Sequence, residues 1–507
     1  MISRTRDLLI TVGVLGLALA LRTWALGEAS LWMDEGASLL LSQGSATDIV
    51  RRVVAEESHP PLYYLALGLW RQLGDSELFL RALSAICGTA VVWVTVLLGR
   101  ALDDTRSGRL AALFTALSGL CVLVSREARM YAPATLLVAL ETLYLLRTLR
   151  DGRGRDAACY AACAAACAWT HYITVFVLAA QFVSVLFVGL RGGFDRTTLR
   201  TYGLATGAAF LLWVPWLVLK GNPTARGDLL PFMLFVRSGE SLPWQLLSLC
   251  YDEAYGLTLF FRPLDLGPFG RVLYGQFALA AGVAATCVLG GAWQVRRERE
   301  RGWLVVAASF LLTALIVLIA SRALEADIFK SRYLSVTAPC FWLLVARFLT
   351  RLEARFVATA LTAFVMTLTT VSSLNLLFEE PWSTQDIRGA AQCVARRARA
   401  GDVLVLDPGY NRGLVDRYAP ALTSTCTVVP IGRRGVEGFD ARAYAGRRVW
   451  LMRADPSLVD AADQVRRRLC ALATPTRVFW SPRLNVTFTV EVERFDVPLG
   501  AREEERR

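Results

Sequence analysis

The chain has 507 residues, of which 55% are hydrophobic and only 19% charged, and its 55 basic residues outnumber its 43 acidic ones. Soluble domains are less apolar and carry about a quarter charged residues. The composition therefore excludes a soluble enzyme, a disordered protein and a nucleic-acid-binding protein as first hypotheses. It indicates an α-helical protein that crosses a membrane several times.

Eleven apolar runs are long enough to cross a bilayer, which takes roughly 17–25 residues. They lie at about 8–26, 82–99, 110–125, 131–149, 157–175, 177–190, 201–219, 271–294, 303–321, 333–349 and 356–378. A further run at residues 60–73 is shorter and opens with two prolines, so we expect it to lie at the membrane surface. The sequence predicts about 11 transmembrane helices in a module formed by residues 1–378.

The arginines predict the topology of this module. With the N-terminus in the cytoplasm, the segments that face the cytoplasm contain 19 arginines and 9 acidic residues. Such segments collect basic residues in membrane proteins. If residues 60–73 crossed the bilayer, the bias would be reversed in five loops. We therefore expect a cytoplasmic N-terminus and a large first outer loop, residues 27–80, with juxtamembrane helices.

The composition changes at about residue 379, where helix-like and strand-like segments begin to alternate. The pattern predicts helices at 386–400 and 457–472 and strands at 402–406, 425–430, 448–452 and 486–493. It indicates an α/β domain at residues 379–507, which an odd number of spans places outside the cytoplasm. No phosphate-binding glycine loop indicates a nucleotide. An oxidising compartment would allow one disulfide among Cys393, Cys426 and Cys470.

Two acidic residues follow the first apolar run, in the sequence Trp-Met-Asp34-Glu35-Gly. A carboxylate at the membrane surface can act as a general base toward a hydroxyl group. The alternative is a solvated acidic loop without a catalytic role. Sequence alone leaves both interpretations open.

A short predicted outer turn contains Glu127, Arg129 and Tyr131 between two apolar runs. Charges beside a bilayer are costly and commonly functional, although arginine and tyrosine also serve as interfacial anchors. The two histidines of the chain, His59 and His171, are also expected at the outer surface. Together with an acidic residue they could bind a metal, but their spacing matches no known ligand motif, so we favour a hydrogen-bonding role.

Lys330 and Arg332 lie at the predicted outer end of the tenth apolar run, followed by Tyr333. Two cations at headgroup depth suit a lipid phosphate, which an arginine can bind through two parallel hydrogen bonds. The alternative is that these side chains only extend from a helix end toward water.

The order of these motifs resembles a known family. Asp-Glu after the first helix is followed by His-Pro-Pro-Leu-Tyr-Tyr, Glu-Ala-Arg-Met-Tyr, Thr-His-Tyr and Arg-Tyr. This order is similar to that of bacterial integral-membrane glycosyltransferases of the GT-C fold, the group of the protein O-mannosyltransferases and lipid A aminoarabinose transferases. The resemblance covers residues 1–378. It implies a bacterial inner-membrane enzyme that transfers a sugar from a polyprenyl-phosphate-linked donor to a hydroxyl of a glycan, lipid or protein acceptor.

The resemblance also implies roles for individual residues. Asp34, with Glu35 beside it, matches the family's catalytic base, and Arg332, Lys330 and Arg129 match the residues that hold the carrier phosphate. The remaining motif residues are expected to bind substrate: His59, Tyr63, Glu127, Tyr131, His171, Tyr172 and Tyr333. The aminoarabinose branch has a metal site. Here His59 occupies a neighbouring position without the full ligand set, so dependence on a divalent metal stays open.

Two other functional classes are alternatives to a transferase. A membrane transporter or lipid flippase would be expected to show internal repeats and ionisable residues at the bilayer midplane. The chain shows no repeat, and its unusual polar residues are predicted at one surface, which argues against this class. A non-catalytic assembly or sensor protein would use the α/β domain to bind a partner.

Overall fold

The computed structural model describes residues 2–57, 59–221, 242–255, 267–298, 300–324, 328–378, 385–454, 460, 462–481 and 489–499. The chain divides into two compact units. The first comprises Met1–Leu26, Ser42–Asp75 and Phe79–Leu377, and the second comprises Gly27–Leu41, Ser76–Leu78 and Phe378–Arg507. The second unit therefore includes the beginning of the predicted first outer loop.

The chain before residue 379 is helical. Its helices are α1 (Ile2–Thr23), α2 (Met33–Leu41), α3 (Ala46–Glu56), α4 (Leu62–Arg71), α5 (Glu77–Ala101), α6 (Thr105–Leu117), α7 (Gly119–Ser125), α8 (Tyr131–Asp151), α9 (Gly154–Ala168), α10 (Tyr172–Leu190), α11 (Arg196–Gly221), α12 (Leu242–Tyr255), α13 (Gly267–Glu298), α14 (Arg301–Ala307), α15 (Thr313–Ala323), α16 (Ser331–Leu334), α17 (Ala338–Arg351) and α18 (Arg355–Phe378). A π-helical turn, Ala308–Leu312, joins α14 to α15, and a 3-10 turn, Ser335–Thr337, joins α16 to α17.

Within the described residues, eight helical stretches are long and apolar enough to cross a membrane, or nine if the bent pair α6–α7 is one span. Each of the eleven predicted apolar runs contains a helix, but α1 and the 15-residue α9 are not among these stretches. The predicted number of about 11 is therefore not confirmed. Helix α4, expected at the membrane surface, has 10 residues, and a length of about 15 Å cannot cross a bilayer.

A buried arginine stabilises the 60° bend between α6 and α7. Ser118 begins α7 by accepting a hydrogen bond from the Cys121 N–H at 3.4 Å. The last carbonyls of α6 have no partner within their own helix. The fully buried Arg22 donates to those of Thr115 and Ala116 at 3.1 and 3.2 Å. The break is thus hydrogen-bonded internally, and α7 leads into the turn that carries Glu-Ala-Arg-Met-Tyr.

Polar side chains also join the helices inside the first unit. The buried Gln181 of α10 donates to Thr142 of α8 and to Ser309 of the π-helical turn, both at 3.0 Å. Lipid offers no alternative partners for such groups, so hydrogen bonds between helices contribute to association in membranes. These contacts hold α8 and α10, whose first residues belong to the predicted site, in a defined register.

The second unit contains a five-stranded sheet with the strand order β2-β1-β3-β5-β4. The strands are β1 (Val403–Asp407), β2 (Thr427–Pro430), β3 (Arg448–Ala454), β4 (Thr476–Ser481) and β5 (Val490–Asp496). Strand β1 pairs in parallel with β2 and β3, and β5 pairs antiparallel with β3 and β4. The helices after residue 385 are α19 (Ile387–Ala395), α20 (Arg412–Tyr418), α21 (Leu422–Thr425), α22 (Arg433–Glu437) and α23 (Gln464–Cys470). The C-terminal part of the chain therefore forms a small sheet domain with helices, as the sequence predicted.

Several predicted details of this domain differ from the structure. The helix expected at 386–400 ends at Ala395, and the described part of the one expected at 457–472 spans Gln464–Cys470, with residues 455–459 and 461 outside the described residues. The sequence missed β4, an edge strand whose mostly exposed and half-buried residues give a weak pattern. All eleven cysteines, including Cys393, Cys426 and Cys470, are free thiols, so the structure pairs none of them in a disulfide.

Candidate active site

The predicted site residues of the first unit lie where apolar helices begin. Tyr131 is the first residue of α8, His171 precedes α10, and Arg332 lies in the first turn of α16. Arg332 donates to a carboxylate oxygen of Glu127 at 3.2 Å, and the Glu127 side chain is only 3% exposed. Two sequence motifs separated by 205 residues therefore meet in an ion pair.

Cations and aromatic rings surround this ion pair. The guanidinium carbons of Arg332 and Arg129 lie 5.8 and 6.0 Å from the centre of the Tyr131 ring. The Tyr131 ring stacks with that of Tyr333 at 6.1 Å, and the Lys330 amino group lies 6.0 Å from the Tyr333 ring. Cations over aromatic faces are held by the negative potential of the ring. We call Glu127, Arg129, Lys330 and Arg332, with Tyr131 and Tyr333, the cation cluster.

The two histidines form a stacked pair beside the cation cluster. Their ring centroids are 4.2 Å apart, and the His171 ring lies 5.8 Å from Tyr131 and 5.5 Å from Tyr333. His171 accepts a hydrogen bond from the Ile173 N–H through Nδ1 at 3.0 Å, which caps α10. Among the described residues, Nδ1 of His59 and Nε2 of His171 have no hydrogen-bond partner.

Burial keeps both imidazoles neutral. Desolvation, followed by the positive charge of Arg129, lowers the pKa of His59 to about 3. Desolvation lowers the pKa of His171 well below its usual value, and His59 and Arg129 add to this effect. The positive charge of the site therefore resides on its arginine and lysine side chains, while the imidazoles offer neutral hydrogen-bonding surfaces.

Sequence reasoning missed Glu57 as a site residue. Its carboxylate accepts hydrogen bonds from the His59 N–H at 3.2 Å and from the Tyr64 hydroxyl at 3.0 Å. Lys220 donates to the Glu57 carbonyl at 2.6 Å. The feature of the sequence that could have identified Glu57 is its position two residues before His59, in the link between α3 and α4. Burial, followed by the charge of Glu57, raises the pKa of Tyr64 well above its usual value, so this tyrosine remains a hydrogen-bond donor.

The structure places the two remaining predicted tyrosines around this segment. Tyr63 is buried, and its ring contacts that of Tyr64 edge-on at 5.4 Å. The Tyr172 ring lies 6.4 Å from that of His59, and its hydroxyl accepts a hydrogen bond from the Trp216 indole at 2.9 Å. Tyr172 thus lies beside the histidine pair. Tyr63 lies beside Tyr64, whose hydroxyl binds the same Glu57 carboxylate as the His59 N–H.

Asp34 and Glu35 belong to the second unit, in the first turn of α2. Glu35 is 1% exposed, and its carboxylate accepts a hydrogen bond from the Trp32 N–H at 3.3 Å. Asp34 is only half-buried. The adjacent carboxyl groups therefore differ in environment: Glu35 is buried and binds its own segment, whereas Asp34 is partly exposed.

The described residues do not fit a metal site. No three or more histidine, cysteine, aspartate or glutamate side chains among them are grouped so that they could hold a metal ion. His59 and His171 stack on one another, and the one carboxylate of the cation cluster, Glu127, is bound to Arg332. We derive no step through a metal.

Part of the chain matches a known protein family. Residues 58–218 match the family described as dolichyl-phosphate-mannose-protein mannosyltransferase. The matched segment includes the histidine pair and the Glu-Ala-Arg-Met-Tyr turn. No curated protein matches the sequence.

Solved structures share the fold over almost the whole chain. The crystal structure of ArnT from Cupriavidus metallidurans in the apo state matches with a TM-score of 0.55 and 12% identity, over 97% of this chain and 98% of that chain. ArnT bound to undecaprenyl phosphate matches with a TM-score of 0.52 and 14% identity, over 95% and 97%. The archaeal oligosaccharyltransferase AglB from Archaeoglobus fulgidus, in complex with an inhibitory peptide and a dolichol-phosphate, matches with a TM-score of 0.55 and 11% identity, over 94% and 73%.

These matches define the class of the protein as a multi-span membrane protein of the GT-C fold with a C-terminal sheet domain. The expected fold is confirmed. The resemblance to polyprenyl-phosphate-sugar-dependent glycosyltransferases, inferred from the motif order, is confirmed as well.

Proposed function

We propose that the chain transfers a sugar from a polyprenyl-phosphate-linked donor to a hydroxyl group at the outer face of a bacterial inner membrane. The N-terminus would lie in the cytoplasm and the α/β domain outside. The observation that carries the proposal is the cation cluster, in which Arg129, Lys330 and Arg332 gather around two tyrosine rings where apolar helices begin. A structure that shares this fold binds undecaprenyl phosphate.

The cation cluster suits the leaving group of this reaction. In the proposed transfer, the acceptor oxygen bonds to the anomeric carbon while the bond from that carbon to the phosphate oxygen breaks. Negative charge then develops on the departing polyprenyl phosphate, and prepositioned donors stabilise it. Glu127 accepts one N–H of Arg332 and fixes the side chain. A guanidinium has five N–H donors in a planar fork that matches phosphate oxygens, so Arg332 and Arg129 are the proposed phosphate-binding residues.

Asp34 is the proposed general base. The acceptor hydroxyl must lose a proton as its oxygen attacks, and a positioned carboxylate contributes about 100- to 10,000-fold to such a step. Asp34 is the more exposed of the two adjacent carboxyl groups. It takes the proton and later releases it to water. Glu35 supports the segment from inside.

The neutral and aromatic side chains would bind the sugar and the acceptor. His59, His171, Tyr63, Tyr131, Tyr172 and Tyr333 are proposed for this role, together with the carboxylate of Glu127. Sugar rings present apolar faces and hydroxyl groups, which suit tyrosine and neutral imidazole surfaces.

The proposal is tested with purified protein and a panel of radiolabelled polyprenyl-phosphate sugars in the presence of membrane lipids. We expect consumption of one donor, formation of free polyprenyl phosphate, and loss of both in Arg332→Gln. Arg355→Gln, at an exposed position in α18, is the matched control and should retain activity. Movement of a donor across proteoliposomes without consumption would instead indicate a flippase, and equal turnover in Arg332→Gln would overturn the assignment of the phosphate site.

A further inference from the structure

The backbone that carries Asp34 is held by side chains of the C-terminal domain. Leu31, Trp32 and Met33 precede Asp34, and α2 begins at Met33. The Leu31 N–H donates to the Tyr418 hydroxyl at 2.8 Å, and the Met33 N–H donates to the Gln385 side-chain oxygen at 3.2 Å. The first N–H groups of a helix have no partner within the helix. Gln385 therefore supplies an acceptor for the first N–H of α2, and Tyr418 supplies one for the N–H of Leu31, two residues before the helix.

Further contacts fix the same segment on both sides. The Arg388 N–H donates to the Ser30 hydroxyl at 3.1 Å, and the Arg388 guanidinium donates to the Glu28 carbonyl at 3.1 Å. Arg388 also forms an ion pair with Glu77 at 3.2 Å and lies 5.2 Å from the centre of the Tyr418 ring. All of these residues belong to the second unit.

Close packing continues after Asp34. A Cβ atom at Gly36 would lie 2.8 Å from Cγ of Leu414 in α20. Leu31 and Ser38 are fully buried, and Trp32 is 4% exposed. The residues on both sides of Asp34 are thus enclosed, while Asp34 itself is half-buried. A backbone held on both sides of a partly exposed carboxyl group is the arrangement that a positioned base requires.

We infer that Gln385 and Tyr418 of the C-terminal domain are positioning residues that hold the Asp34 backbone in its catalytic conformation. The inference rests on the proposed function, because it takes Asp34 as the base. It assigns the α/β domain a role in the reaction, which is to position the backbone of the proposed general base. A misplacement of about 1 Å in a reacting group can cost about 100-fold in rate, so loss of these acceptors slows chemistry more than it weakens donor binding.

The test compares kcat and KM for Gln385→Leu and Tyr418→Phe with those of the unchanged protein. We expect kcat to fall at least 10-fold while KM for the donor and the unfolding temperature stay within error. Gln385→Glu keeps an acceptor for the Met33 N–H, so this variant should retain the activity of the unchanged protein. Trp480→Phe, at an exposed position of β4, is the control and should have no effect.

A double-mutant cycle separates this inference from the proposed function. In an Asp34→Asn background, Gln385→Leu should add no further loss, because it acts through Asp34. Hydrogen exchange of the peptide 28–36 should be faster in Gln385→Leu, whatever the activity. Unchanged kcat, an equal loss in both backgrounds, or a loss that follows a fall in unfolding temperature would overturn the inference. Normal turnover of Asp34→Asn alone would instead overturn Asp34 as the base.

Discussion

The rings of His59 and His171 stack with their centroids 4.2 Å apart, and both side chains are at least nine-tenths buried. Arg129 contributes a positive charge near both imidazoles. Protonation of either ring would therefore place a second charge in a desolvated site that already contains a cation. The folded structure therefore favours the neutral form of both imidazoles.

This arrangement predicts that stability falls on mild acidification. The ordinary pKa of histidine is about 6.5, whereas that of His59 in the folded protein is about 3. Between these values the unfolded chain binds a proton that the folded chain does not bind, so the free energy of unfolding decreases as the pH falls. Each such group contributes about 1.4 kcal/mol per pH unit in this window. Thermal unfolding in detergent at pH 7.5 and pH 5.0 measures the effect.

The matched variant for this prediction is His59→Gln, which keeps a polar side chain but cannot titrate. Its unfolding temperature should decrease less between pH 7.5 and pH 5.0 than that of the unchanged protein. An identical decrease in both proteins would show that the buried histidine pair does not determine the acid sensitivity.

The ion pair between Glu127 and Arg332 predicts graded effects on transfer. Arg332→Lys keeps the charge but loses the planar set of donors that binds phosphate through two bonds. We expect a rate between those of the unchanged protein and of Arg332→Gln, for which the loss of a transition-state donor predicts about 100- to 1,000-fold. Steady-state kinetics with the consumed donor give the values. If Arg332→Lys and Arg332→Gln were equally slow, bidentate geometry rather than charge would dominate. Wild-type rates in both would contradict the prediction.

Asp34→Asn removes the proposed base with little change in volume. Proton transfer by a positioned group contributes about 100- to 10,000-fold, so we expect kcat to fall by at least 100-fold. Because Asn keeps the polar character of the position, insertion into the membrane and the unfolding temperature should remain unchanged. Glu35→Leu should act differently, by lowering stability, since it removes the buried carboxylate that accepts the hydrogen bond of the Trp32 N–H. Near-normal turnover of Asp34→Asn would remove Asp34 from the mechanism.

Sequence alone predicted the fold class because hydropathy and motif order are local signals. Apolar runs indicated the helices, and the proline pair indicated that α4 does not cross the bilayer. The pairing of Glu127 with Arg332 depends on side-chain geometry between segments 205 residues apart, which no local pattern encodes. The α6–α7 bend was also missed. The run at 110–125 has the length and hydropathy of a single span, so the Ser118-Gly119 pair at the break was not interpreted as a bend, and the carbonyl contacts from Arg22 depend on packing.

The same limit applies to the segment that precedes α2. The motif predicted a carboxylate pair, but the adjacent backbone is bound by Gln385 and Tyr418, more than 350 residues away. In the sequence, Glu57 is one of several acidic residues in the predicted first outer loop. Only its contacts with His59 and Tyr64 in the structure identify it as a site residue.

Substitution of the buried Gln181 is expected to destabilise the first unit. It donates to Thr142 and Ser309 at 3.0 Å each. Gln181→Leu has a similar volume but removes both hydrogen bonds, and buried acceptors left unpaired cost about 1–3 kcal/mol. The neighbouring Phe182→Leu, at a position 44% exposed, is the control and should change the unfolding temperature little. Equal stability of Gln181→Leu and the unchanged protein would show that these bonds contribute nothing net.

Substitution of the buried Arg347 is expected to cause the largest loss of stability. Its side chain is fully buried, forms an ion pair with Glu298 and a second one with Glu300 at 3.0 Å, and lies 4.4 Å from the centre of the Trp303 ring. Removing one partner of a fully buried ion pair costs about 3–5 kcal/mol. Here the cost is expected nearer the lower end of that range, because the Glu298 and Glu300 side chains are 35% and 37% exposed and also pair with Arg351. We therefore expect Arg347→Met to unfold at a clearly lower temperature than the unchanged protein.

Arg351→Met is the internal comparison for Arg347→Met. Arg351 also pairs with Glu298, at 2.8 Å, but its side chain is 38% exposed. Exposed pairs contribute about 0–1 kcal/mol, so the loss should be several-fold smaller. Both variants should insert with the same topology, since each removes one charge from the same end of α17 and leaves the excess of arginine on that side. If the two variants lost the same stability, burial would not be the reason that Arg347 matters.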